Sequence, residues 1–206
     1  MGRFYARFGK RVLDVALAAV LGMPAGVAVC LCALAVRLES KGAPIFVQER
    51  PGLHGRIFKL YKLRSMRVET ERAGEPLSDM ARMTRVGAFL RKTSLDELPQ
   101  LWNILKGDMS FIGPRPLLPQ YLTLYTPEQL RRHEMRPGLS GWAQVNGRNA
   151  ITWEEKFALD VWYVEHAGFG LDCRIAWMTL LNVLKRAGVN ADAGETMKPF
   201  EGTRSA

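Results

Sequence analysis

Asp96 and Glu97 are adjacent carboxylates that lead into a stretch rich in turns and cations. A carboxylate can attack phosphorus, and a neighbouring one can take a proton or help bind a metal. Beyond them runs Gly107-Asp108-Met109-Ser110-Phe111-Ile112-Gly113-Pro114-Arg115-Pro116. The two prolines fix the backbone around Arg115, so its guanidinium loses little freedom when it binds. Arg136-Pro137-Gly138 and Asn146-Gly147-Arg148-Asn149 repeat the device of an arginine on a tight turn. Arg115, Arg136 and Arg148 together suit bidentate contacts to phosphate. Each alone also reads as a solvated charge on a turn. The dyad has a second reading too: Ser94-x-x-Glu97 has the spacing of a capping box, and acidic residues favour the first turn of a helix. Asp96 as the cap would place Pro99 where its missing N–H costs nothing.

Other chemistries find no support. Cys30 and Cys32 lie inside an apolar run, where packing explains them. His54, His133 and His166 are scattered without partners at metal-ligand spacing. There is no nucleophile elbow, no GxxxxGK[ST] loop and no GxGxxG. The 206 residues carry 29 Lys+Arg against 20 Asp+Glu, a net charge of +9. That favours an anionic partner. Three cysteines exclude a disulfide scaffold, and 48% hydrophobic with 24% charged residues excludes both a disordered chain and a many-span transporter. The basic residues are dispersed rather than gathered in one tract, which speaks against nucleic acid.

The dyad must be held near its substrate, and the first element that bears on this is Val12 to Val36. These twenty-five residues hold one charge, Asp14. As a straight helix they would extend about 37 Å, enough for a hydrocarbon core of about 30 Å. The run is too long for the apolar core of a secretory signal peptide. Arg3, Arg7, Lys10 and Arg11 precede it and Arg37 and Lys41 follow, so both ends are drawn to the cytoplasm. Pro24 stands at its centre between Gly22 and Gly26 and should kink or break the helix. A re-entrant helix-break-helix over residues 1–40 satisfies both observations; a kinked spanning helix is the alternative. Asp14 can pair with Lys10 or Arg11 at headgroup depth.

Residues 41–206 then form the cytoplasmic domain, mixed α/β, mainly helical with a small β-sheet. Ile45–Val47 and Ile57–Leu63 read as strands, and 69–82 as a mobile loop. A helix is expected from about Arg82 to Leu90, and another carries Leu98, Leu101, Trp102 and Leu105 to a stop at Gly107. Thr126-Pro127-Glu128-Gln129 and Thr152-Trp153-Glu154-Glu155 are capping boxes. Asp172 can cap a last helix, and residues 190–206 read as a loosely held tail.

These motifs carry a resemblance. Ser94 to Gln100, Lys106 to Pro116, Arg136-Pro137-Gly138 and Gln144 to Arg148 are similar to the bacterial sugar transferase family, as are Gln48 to Gly52 and Phe58 to Lys62. The match is to its small monotopic phosphoglycosyl transferases and covers nearly the whole chain, apolar segment included. Larger members carry extra N-terminal transmembrane helices. Where the family often has Ser-Pro at the helix break, this chain has Met23-Pro24.

The resemblance implies that a UDP-sugar gives its sugar-1-phosphate to undecaprenyl phosphate, releasing UMP, with Mg²⁺ required. Small members often take N-acetylated amino or diamino sugars. It implies that Asp96 is the nucleophile, carrying a covalent phosphosugar and able to bind the metal, and that Glu97 completes the dyad. It places Lys62, Arg91, Arg115 and Arg148 in the active site. It also implies a bacterial inner-membrane protein in contact with lipid, both termini cytoplasmic, and leaves open whether it is a homo-oligomer. The competing reading is a non-catalytic membrane-tethered module that binds anionic lipid.

Overall fold

The apolar run forms one helix, α1 (Lys10–Glu39), in a computed structural model that describes residues 5–72, 74–147, 151–185 and 199–203, without the side chains of Arg7 and Arg72. Pro24 lies inside α1 without ending it, so the expected interruption is corrected: the flanking residues keep helical backbone on both sides. One face is bare, with Val20, Met23, Val27, Leu31 and Leu38 all exposed. The other face is tied to the rest of the chain along its length. Near its start Lys10 forms an ion pair with Asp172, and Arg11 donates to the carbonyls of Ile104 and Leu105. Ala18 packs with Leu101, Ile104 and Met109 in the middle. At its end Glu39 accepts the N–H groups of Arg85 and Val86, each at 2.8 Å. Asp14 departs from expectation. It is buried and accepts from Ser110 Oγ and the Phe111 N–H, both at 3.0 Å, so it fixes the helix to the domain instead of pairing with Lys10 or Arg11.

Strands β1 (Ile45–Pro51) and β2 (Ile57–Leu63) pair antiparallel in a longer hairpin than the apolar residues alone indicate. Alternation along β2 puts Phe58 and Leu60 in the core. Lys62 continues that face at its open end. The segment expected to be a loop holds a small hairpin, β3 (Glu71–Arg72) with β4 (Glu75–Pro76), and a turn of helix, α2 (Asp79–Arg82). Helix α3 (Arg85–Thr93) is capped by Thr84, and α4 (Gln100–Lys106) stops where Gly107 takes φ 92°. Asn103 fastens α4 to β2: its side chain donates to the Lys59 carbonyl at 2.7 Å and accepts from the Tyr61 N–H at 3.2 Å.

Two three-residue strands, β5 (Ser110–Ile112) and β6 (Gly138–Ser140), pair in parallel. Too short to signal themselves in the sequence, they are held by close backbone approach. A Cβ on Gly138 would lie 2.1 Å from the Gly113 nitrogen, so only glycine fits. Among the described residues the sheet content is thus three separate pairs in a mainly helical chain. Both capping boxes are present, at α5 (Pro127–Leu130) and, after α6 (Trp142–Asn146), at α7 (Trp153–His166). The last helix, α8 (Phe169–Lys185), begins before Asp172, which is therefore not its cap. Asp172 is buried and also accepts from Tyr5 and Tyr163 hydroxyls at 2.8 and 2.6 Å.

The tail differs most from expectation. Its described part, 199–203, is docked. Phe200 is buried among Tyr121, Tyr125, Trp153 and Phe157, with ring centroids 5.0–5.9 Å away. Gln129 donates to Thr203 at 2.8 Å. One aromatic residue in a polar stretch is a weak sequence signal, yet burying it stabilises the contact well. Phe200→Ala is expected to cost about 3 kcal/mol in urea unfolding; a loss under about 1 kcal/mol would mean the tail is not docked in solution.

Candidate active site

The dyad sits on a strained turn between two helices. Helix α3 closes at Ser94, which adopts left-handed backbone with φ 58°. For a residue with a Cβ this costs on the order of 1–2 kcal/mol, a strain typical of functional positions. A 3-10 turn, Leu95–Glu97, then carries both carboxylates, and α4 begins after Pro99. Ser94 makes no capping bond with its side chain. The capping-box reading of Ser94 and Glu97 therefore fails, and the acidic pair is left for another use.

The two carboxyls have opposite environments. Glu97 Oε1 accepts from Lys62 at 2.7 Å and from Arg115 at 2.9 Å. Burial pushes Glu97 up, but Arg115 and Lys62 outweigh it and hold its pKa at about 2. Asp96 makes no ion pair closer than 4 Å among the described residues. Burial raises its pKa; Lys62 and Arg91 oppose this, and Glu97 adds to it. One carboxylate is thus locked as a fixed anion while its neighbour stays unclaimed, the usual signature of divided roles.

Arg115 is positioned from behind. Arg132 donates to the Arg115 carbonyl at 2.7 Å and pairs with Asp160 at 2.7 and 3.1 Å. The pair is buried, and the Arg132 guanidinium lies 5.8 and 5.6 Å from the ring centres of Tyr125 and Phe157. Arg50 donates to the Pro116 carbonyl at 3.3 Å. Arg91 is oriented by Ser65, 2.9 Å from its Nε.

These groups face a cavity of about 1500 Å³. Asp96, Glu97, Lys62, Arg91 and Arg115 line it, and so do Leu13, Leu17 and Leu21 of α1 with Leu180 and Val183 of α8. One space therefore joins a cationic wall bearing carboxylates to an apolar wall supplied by the membrane-type helix. Such a space can receive polyanions and a hydrocarbon chain together.

The sequence pattern of the bacterial sugar transferases matches residues 5–186. The chain belongs to the bacterial sugar transferase family. An uncharacterized sugar transferase of Bacillus subtilis is 48% identical over 94% of this chain and 96% of its own length. The UDP-glucose:undecaprenyl-phosphate glucose-1-phosphate transferase of Escherichia coli is 39% identical over 84% of this chain but only 40% of its own length. A UDP-N-acetylgalactosamine-undecaprenyl-phosphate N-acetylgalactosaminephosphotransferase of Aeromonas hydrophila is 40% identical over 88% and 45%. The chain thus spans almost all of the first relative and less than half of the other two.

Within this sugar transferase, the structure gathers Asp96, Glu97, Lys62, Arg91 and Arg115 around one cavity. Arg136 is not among its lining residues. Its Nε donates to the Gly107 carbonyl at 2.8 Å, where a cation complements the carbonyl end of α4. The tight turn at Arg136 thus braces the backbone where α4 ends. Arg148 lies outside the described residues.

No group of three or more His, Cys, Asp or Glu poised for a metal occurs among the described residues. Mg²⁺ does not need one, since it usually takes one or two carboxylates plus substrate phosphate and water. The residues fit it: Glu97 is already shared by two cations, while Asp96 is unclaimed. Sequence reasoning missed Asp160, Arg132 and Asn103. They act through pairs 28 to 44 positions apart, and a single sequence does not display such pairings. Arg50 stood inside a matched motif without being singled out.

Proposed function

We propose that this chain transfers sugar-1-phosphate from a UDP-sugar to undecaprenyl phosphate, releasing UMP, through a phosphosugar held covalently on Asp96. The observation that carries the reading is the unlike dyad at the meeting of a cationic and an apolar wall. In the first step an Asp96 oxygen forms a bond to the sugar-bearing phosphorus, and the bond from that phosphorus to UMP breaks. UMP takes the electron pair and departs. In the second step a phosphate oxygen of the lipid attacks the same phosphorus and the bond to Asp96 breaks. The products are undecaprenyl diphosphate sugar and the regenerated carboxylate.

Both substrates are polyanions, so positioned cations lower the cost of bringing them together. Lys62 and Arg115 are held by Glu97, so they meet substrate already aligned. Bound at Asp96 with the substrate phosphates, Mg²⁺ would supply further charge neutralisation. Glu97 keeps the cations in place and lies next to Asp96, near the incoming lipid phosphate. Splitting the transfer in two allows the soluble and the lipid substrate to occupy one site in turn, giving ping-pong kinetics.

A seating of α1 on one side of the bilayer, as a helix continuous through Pro24, is supported by attachments near both of its ends to the same domain, at Lys10, Arg11 and Asp14 and again at Glu39. A helix that crossed the bilayer would carry one end away from that domain. Seated this way, α1 holds the dyad at the height of the lipid phosphate on the cytoplasmic face of the inner membrane. Reporter tags at Met1 and Ala206 should both be cytoplasmic; a periplasmic Met1 would exclude the one-sided seating.

The deciding experiment is UMP release from a panel of UDP-sugars with undecaprenyl phosphate and Mg²⁺. Release that requires both lipid and metal is expected. N-acetylated amino and diamino sugars are the first to assay. The panel includes UDP-glucose and UDP-N-acetylgalactosamine, because the named relatives use them. Anionic-lipid binding with no release from any sugar would favour the non-catalytic module instead.

A further inference from the structure

Among the described residues Arg50 has no counter-ion, and unlike the buried Arg64 and Arg132 it leaves a buried donor unpaired. Arg132 has Asp160, and Arg64 donates to the carbonyls of Ser40, Ala43 and Met66. Arg50, near the end of β1, is half-buried and lines the cavity. One terminal nitrogen donates to the Pro116 carbonyl at 3.3 Å and the other to Gln48 Oε1 at 2.6 Å. Its Nε–H is buried with no acceptor, and among the described residues no carboxylate lies within ion-pair distance. A guanidinium has five N–H donors, so most of this one's capacity is unused.

Burial and the like charge of Arg115 both work against the charged form of Arg50. Two like charges share a wall that burial makes costly, and Gln48 and Pro116 hold one of them in a fixed orientation. Such an arrangement is stabilised by an anion that binds between or beside them. Arg50 also stands apart from the reacting carboxylate. The cations that act on Asp96 are Lys62 and Arg91, and those that act on Glu97 are Arg115 and Lys62. Arg50 is instead joined to the Arg115 loop through the Pro116 carbonyl, and it pairs with neither carboxylate of the dyad. In phosphoryl transfer the leaving oxygen lies roughly opposite the nucleophile.

We propose that Arg50 binds the phosphate of the leaving nucleoside monophosphate, not the phosphorus under attack. This rests on the transfer reaction proposed above. Gln48 and the Pro116 carbonyl act as its positioning partners. The nucleotide phosphate would then be gripped between Arg50 and Arg115, while Lys62 and Arg91 remain for the phosphosugar and the lipid phosphate.

The test compares full-length wild type with Arg50→Gln and Arg50→Lys in detergent, measuring UMP affinity by calorimetry and steady-state KM for each substrate. Arg50→Gln should weaken UMP binding about 10- to 100-fold, the worth of a charge-assisted hydrogen bond. KM for the UDP-sugar should rise in parallel, and KM for the lipid should stay within about twofold. Arg50→Lys should recover part of the UMP affinity, since it keeps the charge and loses the fork. Unchanged UMP affinity, or a rise confined to lipid KM, overturns the proposal. If Arg50 serves only to brace Pro116, both variants lose thermal stability and kcat while UMP affinity survives. Should Arg50→Gln not fold, the Arg50→Lys affinity decides alone, and wild-type affinity in that variant counts against the proposal. The calorimetry does not depend on turnover. A wild type that binds UMP but transfers no sugar refutes the reaction while still reading Arg50, and one that does not bind UMP refutes both.

Discussion

Asp96→Asn is expected to reduce UMP release by three orders of magnitude or more, about the scale on which loss of a catalytic nucleophile is felt. The amide nearly preserves the shape of the side chain, so the turn and its neighbours should stand. The Lys62 and Arg115 contacts run to Glu97, and the substitution does not remove them. UMP affinity should therefore stay close to wild type, and UDP-sugar should leave no phosphosugar on the variant by intact mass. Glu97→Gln should behave differently. It takes the counter-charge from two cations, so the alignment of Lys62 and Arg115 should suffer, and KM should change along with kcat. Turnover of Asp96→Asn within about tenfold of wild type would remove Asp96 from the nucleophile role.

The parts of this site legible in the sequence are those whose meaning is local. Asp96-Glu97 is a dipeptide, Pro114-Arg115-Pro116 fixes its own backbone, and the two capping boxes each span four residues. Lys62 and Arg91 carry no local mark, and only the family resemblance picked them out. Arg136 shows the limit of local reading. Its tight turn looks like that of Arg115, but the Gly107 carbonyl claims its Nε. Backbone rules read Pro24 as a kink or a break, and α1 runs through it as one helix. Asp14 looked like an interfacial charge because an apolar run gives no hint that Ser110 and Phe111 will meet it. Phe200 was overlooked because a pocket of four aromatic residues from distant segments has no sequence signature.

The Arg132–Asp160 pair offers the clearest separation of stability from catalysis. Both side chains are buried, and the bond from Arg132 to the Arg115 carbonyl leads on to Glu97. Arg132→Leu leaves the Asp160 carboxylate buried without its partner, and is expected to cost about 3–5 kcal/mol in chemical unfolding. Asp160→Leu strands the guanidinium in the same way. The double variant Arg132→Leu/Asp160→Leu removes both charges, and apolar replacements of a buried pair are often neutral or stabilising, so most of the lost stability should return. Activity should not return with it. The Arg115 carbonyl has lost its donor and the loop its brace, so the cation facing Glu97 is less well placed. A double variant that folds like wild type and still turns over poorly would mark the pair as a positioning device for Arg115. Full recovery of both would mean that Pro114 and Pro116 hold the loop by themselves, and that the buried charges serve the fold alone.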